Sequence, residues 1–263
     1  MTLFESIGLG LIQGLTEFLP ISSKGHLALA QVVFKIPDAG ILYDIILHLG
    51  TLVAITIYYR KEWAELLRGL AHLRPDTYRE NASLRFFVWM AIASVPTAFV
   101  GFLTKHYLES VYENPIAIGA GFLLTACILT TTFWTRKWAI GDLNWKKVLF
   151  IGLAQGLATL PGVSRSGTTI AAAMTQKVQP DQAARFSFFI AYPAIFGALL
   201  LKLRDVSLAD VDWTMYGVGV LVSTITGLLT LGLLTRILRK GWLHGFAAWC
   251  IIAALIAFSV PLF

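Results

Sequence analysis

Two polar islands interrupt an otherwise apolar chain. The first, residues 13–26, reads Gln-Gly-Leu-Thr-Glu-Phe-Leu-Pro-Ile-Ser-Ser-Lys-Gly-His; the second, residues 155–169, reads Gln-Gly-Leu-Ala-Thr-Leu-Pro-Gly-Val-Ser-Arg-Ser-Gly-Thr-Thr. Charged groups at membrane depth are costly, so they mark candidate functional sites. In the second island Pro161 and Gly162 end one half-helix and Ser164 opens the next. A helix N-terminus offers unpaired N–H groups and a positive dipole end, which together attract phosphate. Ser164, Ser166, Thr168 and Thr169 add hydroxyl donors, and Gly167 lies in the same first turn. The planar fork of Arg165 can grip two phosphate oxygens at once. The structural alternative is an Arg165–Glu17 ion pair with hydroxyls that only cap a helix.

In the first island Ser22 or Ser23 opens a half-helix, with Gly25 in its first turn. His26 lies three residues beyond Ser23, a spacing that puts both on one helix face. A serine beside a histidine suits nucleophilic catalysis, and histidine can also act as a general acid. The alternative for His26 is a core histidine bonded to a carbonyl. Glu17 could orient His26, take a proton or bind a divalent cation, and Gln13, one turn earlier, could share that cation or a water. Lys24 either touches phosphate or snorkels to water. Asp44 and His48, at i and i+4 with Gly50 and Thr51 nearby, are candidates to line the same cavity. Arg165, hydroxyls and helix N-termini suit an anion, and a site inside the membrane suits an amphiphile. Together they suggest a lipid phosphate or diphosphate.

The elements that must position these groups follow from composition. Of 263 residues, 57% are apolar and only 14% charged, with a mean hydropathy of +0.71. Soluble domains carry about 25% charged residues, so the chain belongs in a bilayer. The net charge of +6 sits in short loops, where topology accounts for it, so nucleic acid is not an expected partner. Tyr58, Tyr59, Trp63, Trp134, Trp138, Trp145, Trp213 and Trp242 suit an interfacial aromatic belt. Cys127 and Cys250 lie in apolar segments and make no disulfide framework. The apolar run from Ile7 to Leu15 lacks a basic lead, so no cleaved leader is expected. No loop is long enough for a soluble domain.

Residues 2–19 and 23–36 are each too short for the roughly 20 apolar residues of a spanning helix. They read as a re-entrant hairpin with the first island at its tip. Spans are predicted at 42–60, 84–104 and 114–135, with a polar, amphipathic linker at 61–83 suited to the membrane surface. The pattern then repeats: short segments 146–160 and 165–178 flank the second island, and spans follow at 182–203, 212–236 and 242–262. Gln13-Gly14-Leu15 superposes on Gln155-Gly156-Leu157, Ser22 on Ser164 and Gly25 on Gly167. Arg85-Phe86 with Pro96 and Gly101 echoes Arg185-Phe186 with Pro193 and Gly197.

The expected fold is therefore an all-α integral membrane protein with an inverted-topology repeat, each repeat a re-entrant helical hairpin plus three transmembrane helices. Residues 1–263 form a single membrane domain, 1–140 the first repeat and 141–263 the second, inverted one. Fifteen basic residues (Arg60, Lys61, Arg68, Arg74, Arg79, Arg85, Arg136, Lys137, Lys146, Lys147, Lys177, Arg185, Arg236, Arg239, Lys240) fall on one side. Only four (Lys35, Lys105, Lys202, Arg204) fall on the other. The first side is then cytoplasmic, and both termini and the mouth of the first hairpin are outside.

These residues resemble the undecaprenyl-diphosphate phosphatase family, also called bacitracin-resistance proteins. The likeness rests on residues 13–26, on Leu-His-Leu-Gly-Thr-Leu at 47–52 and on Pro-Gly-Val-Ser-Arg-Ser-Gly-Thr-Thr at 161–169, and it runs nearly the full length. It implies hydrolysis of a polyprenyl diphosphate to its monophosphate and inorganic phosphate in the bacterial plasma membrane. That recycles the carrier of cell-wall precursors and confers bacitracin resistance. Glu17, Ser23, His26 and Arg165 take the catalytic positions, with Ser164, Ser166 and Thr169 beside the arginine; Ser22, Lys24, Gly25, Gly167 and Thr168 are the islands' further candidates for substrate binding. Gln13 and Glu17 take the metal positions for a divalent cation, Mg2+ or Ca2+. Gln13 stands where the family also uses Glu, and Lys24 where a small hydroxyl residue is frequent. Membrane lipid is an expected partner, and a homodimer is compatible with the plan. The rival readings are a transporter or flippase of polyprenyl phosphate, since inverted repeats with broken helices are a transporter plan, and a purely structural membrane protein.

Overall fold

The computed structural model describes residues 1–36, 40–71, 81–111, 114–135, 141–202 and 212–260. Among the basic residues used for orientation, Arg74, Arg79, Arg136, Lys137 and Arg204 lie outside the described residues, as does Trp138. Regular structure among the described residues is helical, apart from one isolated bridge between Gly141 and Val178.

Helix α1 (Leu3–Thr16) starts at a capping box, in which the Thr2 hydroxyl accepts from the Glu5 N–H while the Glu5 carboxylate accepts from the Thr2 N–H. After the turn at Pro20, α2 (Ser23–Phe34) returns alongside it. The first predicted span is α3 (Gly40–Tyr58), and the linker is α4 (Arg60–Ala71), bent by 81° from it. Two long helices follow, α5 (Ala82–Val111) and α6 (Pro115–Thr135). The second half opens with α7 (Trp145–Leu157), capped by Asn144, and α8 (Arg165–Thr175), capped by Ser164.

The span predicted at 182–203 is two helices, α9 (Pro180–Phe189) and α10 (Ala191–Lys202), meeting at Ile190. Pro193 has no N–H to donate to the carbonyl of Phe189, which breaks the ladder at that point. Helix α11 (Trp213–Arg239) is the longest of the second half, and the last span is shorter than expected, a 3₁₀ turn (Leu243–Gly245) leading into α12 (Phe246–Ser259). Among the described residues four segments are long and apolar enough to cross a membrane, Ala82–Thr104, Pro115–Thr135, Pro180–Leu201 and Trp213–Arg239, and five if the bent pair of α3 and α4 is counted as one span. The chain is an all-α, multi-pass membrane protein.

The packing pairs equivalent elements. Helix α1 lies along α11, and α7 lies along α5, while α6 and α12 pack on each other. The same two glycines of each hairpin make the first two contacts. A Cβ at Gly10 or Gly14 would collide with α11 at Gly219 and Thr226; one at Gly152 or Gly156 would collide with α5 at Ala93 and Val100. The echo between Arg85-Phe86 and Arg185-Phe186 is not a repeat equivalence. Element order matches α5 with α11, and α9–α10 with α3. Phe86 and Phe186 instead touch edge to face at 5.7 Å, with the Arg185 guanidinium over the Phe86 ring. The aromatic belt also divides. Trp134, Trp145, Trp213 and Trp242 are exposed, whereas Tyr59 is buried and Trp63 stacks on Phe189 at 4.8 Å, inside the core.

Gly14→Val forces α1 off α11, and overpacking costs about 1–3 kcal/mol or more. Its unfolding midpoint in detergent should fall by roughly 5 °C or more. Gly217→Ala, on the open side of α11 with nothing within 4 Å, should leave the midpoint within about 1 °C.

Candidate active site

The two hairpin tips meet, and they do so reciprocally. The Cα of Gly25 abuts Gly162, so a Cβ there would lie 3.0 Å from the Gly162 Cα. In the register that superposes Gln13 on Gln155, the counterpart contact sets Gly167 against Pro20, also at 3.0 Å. Gly162 has φ +78°, a conformation that side chains other than glycine rarely adopt. Thr125 of α6 holds this tip, its hydroxyl donating to the Gly162 or Gly121 carbonyl and accepting from the Ser164 N–H. The Ser166 hydroxyl reaches the Leu19 carbonyl across the junction.

Glu17 is the hub of the junction and is 5% exposed. Its Oε1 accepts from Arg165 at 2.6 Å, and its Oε2 accepts from the Ser23 hydroxyl at 2.6 Å and from the Gln13 amide at 3.1 Å. His48 Nε2 stands 3.4 Å from the same Oε2. A second nitrogen of Arg165 donates to the Ser187 carbonyl, while Thr169 and Ser187 share a hydroxyl contact at 2.6 Å and Thr169 back-bonds to the Arg165 carbonyl. The guanidinium is thus fixed from both sides.

A cavity of about 400 Å³ opens on this hub. Its lining holds Glu17, Ser22, Ser23, Lys24, Asp44, His48, Ser164 and Arg165, so the N-termini of both α2 and α8 face it. Its lining also includes Ala98, Gly101 and Phe102 of α5 and Pro193, Ala194, Gly197, Ala198 and Leu201 of α10. The lining offers a cation and hydroxyl donors to an anion and apolar surface to an aliphatic chain.

His26 is not in this cavity, contrary to the expectation that it shares a face with Ser23. Its Nδ1 bonds the Ser22 carbonyl at 2.8 Å and its Nε2 accepts from the Trp249 indole N–H at 3.0 Å. A carbonyl only accepts and an indole N–H only donates, so both ring nitrogens are committed. The ring packs edge to face on Phe122 at 5.1 Å. Ser22 has φ 68°, a strained value for a non-glycine residue, and His26 braces it. The imidazole that faces the site is His48.

Of the other predicted positions, Gly25 and Gly167 serve the tip contact, and Ser166, Thr168 and Thr169 are buried outside the cavity lining. Ser94, Thr97, Gln155 and Thr159 line the cavity and were not singled out. Gln155 donates to Thr97 at 3.1 Å, and its Oε1 has no partner. Its signal was present in the sequence as the register counterpart of Gln13. Gln13 Oε1 is buried with no partner beside the Glu17 carboxylate, so these two are the residues that would hold a divalent cation. The Gln13 N–H donates to Glu17 Oε2, which also accepts from Ser23, and no group of three His, Cys, Asp or Glu able to hold a metal is found among the described residues.

The family model "Bacitracin resistance protein BacA" matches residues 6–256. Curated relatives named "Undecaprenyl-diphosphatase" are similar over nearly the whole length. One from Alcanivorax borkumensis is 38% identical over 96% of both chains, and one from Moorella thermoacetica is 36% identical over 99% of this chain and 98% of its own. One from Desulforapulum autotrophicum is 34% identical over 98% of both.

Removing one partner of a buried ion pair typically costs about 3–5 kcal/mol. Arg165→Ala and Glu17→Gln should each lower unfolding stability in detergent, and the double variant should cost at least about 1 kcal/mol less than the sum of the singles. Strict additivity would mean that the two side chains do not interact.

Proposed function

Because the chain belongs to the bacitracin resistance protein BacA family, we propose that it hydrolyses undecaprenyl diphosphate to undecaprenyl phosphate and inorganic phosphate, which recycles the cell-wall lipid carrier and confers bacitracin resistance. The observation that carries this reading is the Ser23 hydroxyl, held 2.6 Å from the Glu17 carboxylate that Arg165 also grips, in a cavity with apolar wall residues.

The diphosphate sits at the N-termini of α2 and α8, with Lys24 and Arg165 at its oxygens and the prenyl chain between α5 and α10. Phosphoryl transfer depends mainly on positioning and on charges aimed at the equatorial oxygens. Arg165, held by the Ser187 carbonyl, supplies such a charge without reorganising. Ser23 attacks the terminal phosphorus as Glu17 takes its proton, and undecaprenyl phosphate leaves. Water then cleaves the phosphoserine and releases inorganic phosphate. A divalent cation held by Gln13 and Glu17 would neutralise charge on the diphosphate. All these groups come from one chain, so the site operates in a monomer or a homodimer alike.

Two inverted copies, residues 1–140 and 141–263, account for the reciprocal tip contact and for the matched seating of α1 on α11 and α7 on α5. The excess of Lys and Arg on one side supports a plasma-membrane protein with both termini outside and the cavity open to the outer face. In a background lacking Cys127, Lys240→Cys should react with a membrane-impermeant maleimide only after the cells are opened. Labelling of intact cells would reverse the orientation.

Purified protein in detergent should release phosphate from undecaprenyl diphosphate. Ser23→Ala and Arg165→Ala should each lose at least about 10²-fold in kcat, in the range of a lost catalytic group. His26→Ala, outside the cavity, should lose less than either. Lipid movement across vesicles without phosphate release would favour a transporter instead.

A further inference from the structure

The geometry points to Glu17 and His48 as one basic pair, sharing the proton that Ser23 gives up. His48 Nδ1 lies 2.6 Å from the Asp44 carbonyl, and a carbonyl only accepts, so Nδ1 carries the hydrogen of the neutral ring. Nε2 then turns its lone pair toward Glu17 Oε2, 3.4 Å away. Two acceptors facing each other in a buried site are one proton short. The Ser23 hydroxyl donates to that same oxygen at 2.6 Å. The charged groups that act on His48 are Glu17 from α1, Lys24 from α2 and Arg165 from α8.

This deepens the reading of Ser23 as nucleophile and rests on it. As the Ser23 Oγ–phosphorus bond forms, the hydroxyl proton moves to Glu17 Oε2 and is shared with His48 Nε2. The bridging phosphorus–oxygen bond breaks, and its electron pair leaves on undecaprenyl phosphate. In the second half, water bonds to phosphorus and the Ser23 Oγ–phosphorus bond breaks. The pair returns a proton to Ser23, takes one from the water and releases it to solvent through the cavity. The Nε2 of His26 instead accepts from the Trp249 indole N–H.

The test is steady-state phosphate release from undecaprenyl diphosphate by wild type, His48→Gln, His48→Ala and Ser23→Ala in detergent. Gln keeps an N–H toward Glu17 but has no site for a proton, and it guards against a folding defect in the alanine variant. Both His48 variants should lose at least about tenfold in kcat with KM within about twofold, toward the lower range of a lost acid–base group. Added imidazole should raise the rate of His48→Ala and not that of Ser23→Ala. His48→Gln at the wild-type kcat, or a defect confined to KM, overturns the pair while an inactive Ser23→Ala leaves the nucleophile standing. An active Ser23→Ala overturns the nucleophile and the pair with it.

Discussion

A carboxylate buried in an apolar interior needs a cation, and here the partner is a partly buried guanidinium. Glu17 and Arg165 come from hairpins 148 positions apart in the chain, and they meet at 2.6 Å. Leaving either charge unpaired at that depth would cost several kcal/mol, so the two tips are compelled into contact. The small residues around them answer the same demand. Gly25 and Gly167 let each tip rest on the other, and Gly14 and Gly156 let the supporting helices close up on α11 and α5.

The two histidines near this pair obey one local rule and end in different roles. Each directs Nδ1 at the carbonyl four residues back, Ser22 for His26 and Asp44 for His48. What differs is the partner of Nε2: an indole N–H for His26, a carboxylate for His48. The first ring is therefore a brace for a strained residue. The second joins a hydrogen-bonded cluster whose other members are Ser23, Glu17, Gln13 and Arg165.

The rest of the cavity complements that cluster. Helix α10 exists as a separate piece because Pro193 interrupts the ladder, and its small residues line the cavity with those of α5. Two helix N-termini together with apolar wall residues suit an amphiphile with a phosphate head.

Much of this was legible in the amino-acid order. Low charge and long apolar runs dictate a membrane protein, because few arrangements satisfy such a chain in water. The capping residues Ser22 and Ser164 and the breakers Pro20, Pro161 and Gly162 locate the two broken tips, since caps and breakers act through their own backbone. Their repeated spacing relates one tip to the other. Local order did not reveal where a side chain points once its helix is packed. Helical spacing put His26 with Ser23, and only Trp249, 223 positions away, decided otherwise. Gln155 and Thr97 reached the cavity because α7 and α5 converge on it, whereas Asp44 and His48 line it as expected from their i, i+4 spacing. The break at Ile190 and the contact of Phe86 with Phe186 are likewise products of packing. Chemistry written within a turn of helix can be read from sequence; chemistry assembled between helices waits on the fold, because it depends on which faces are buried against each other.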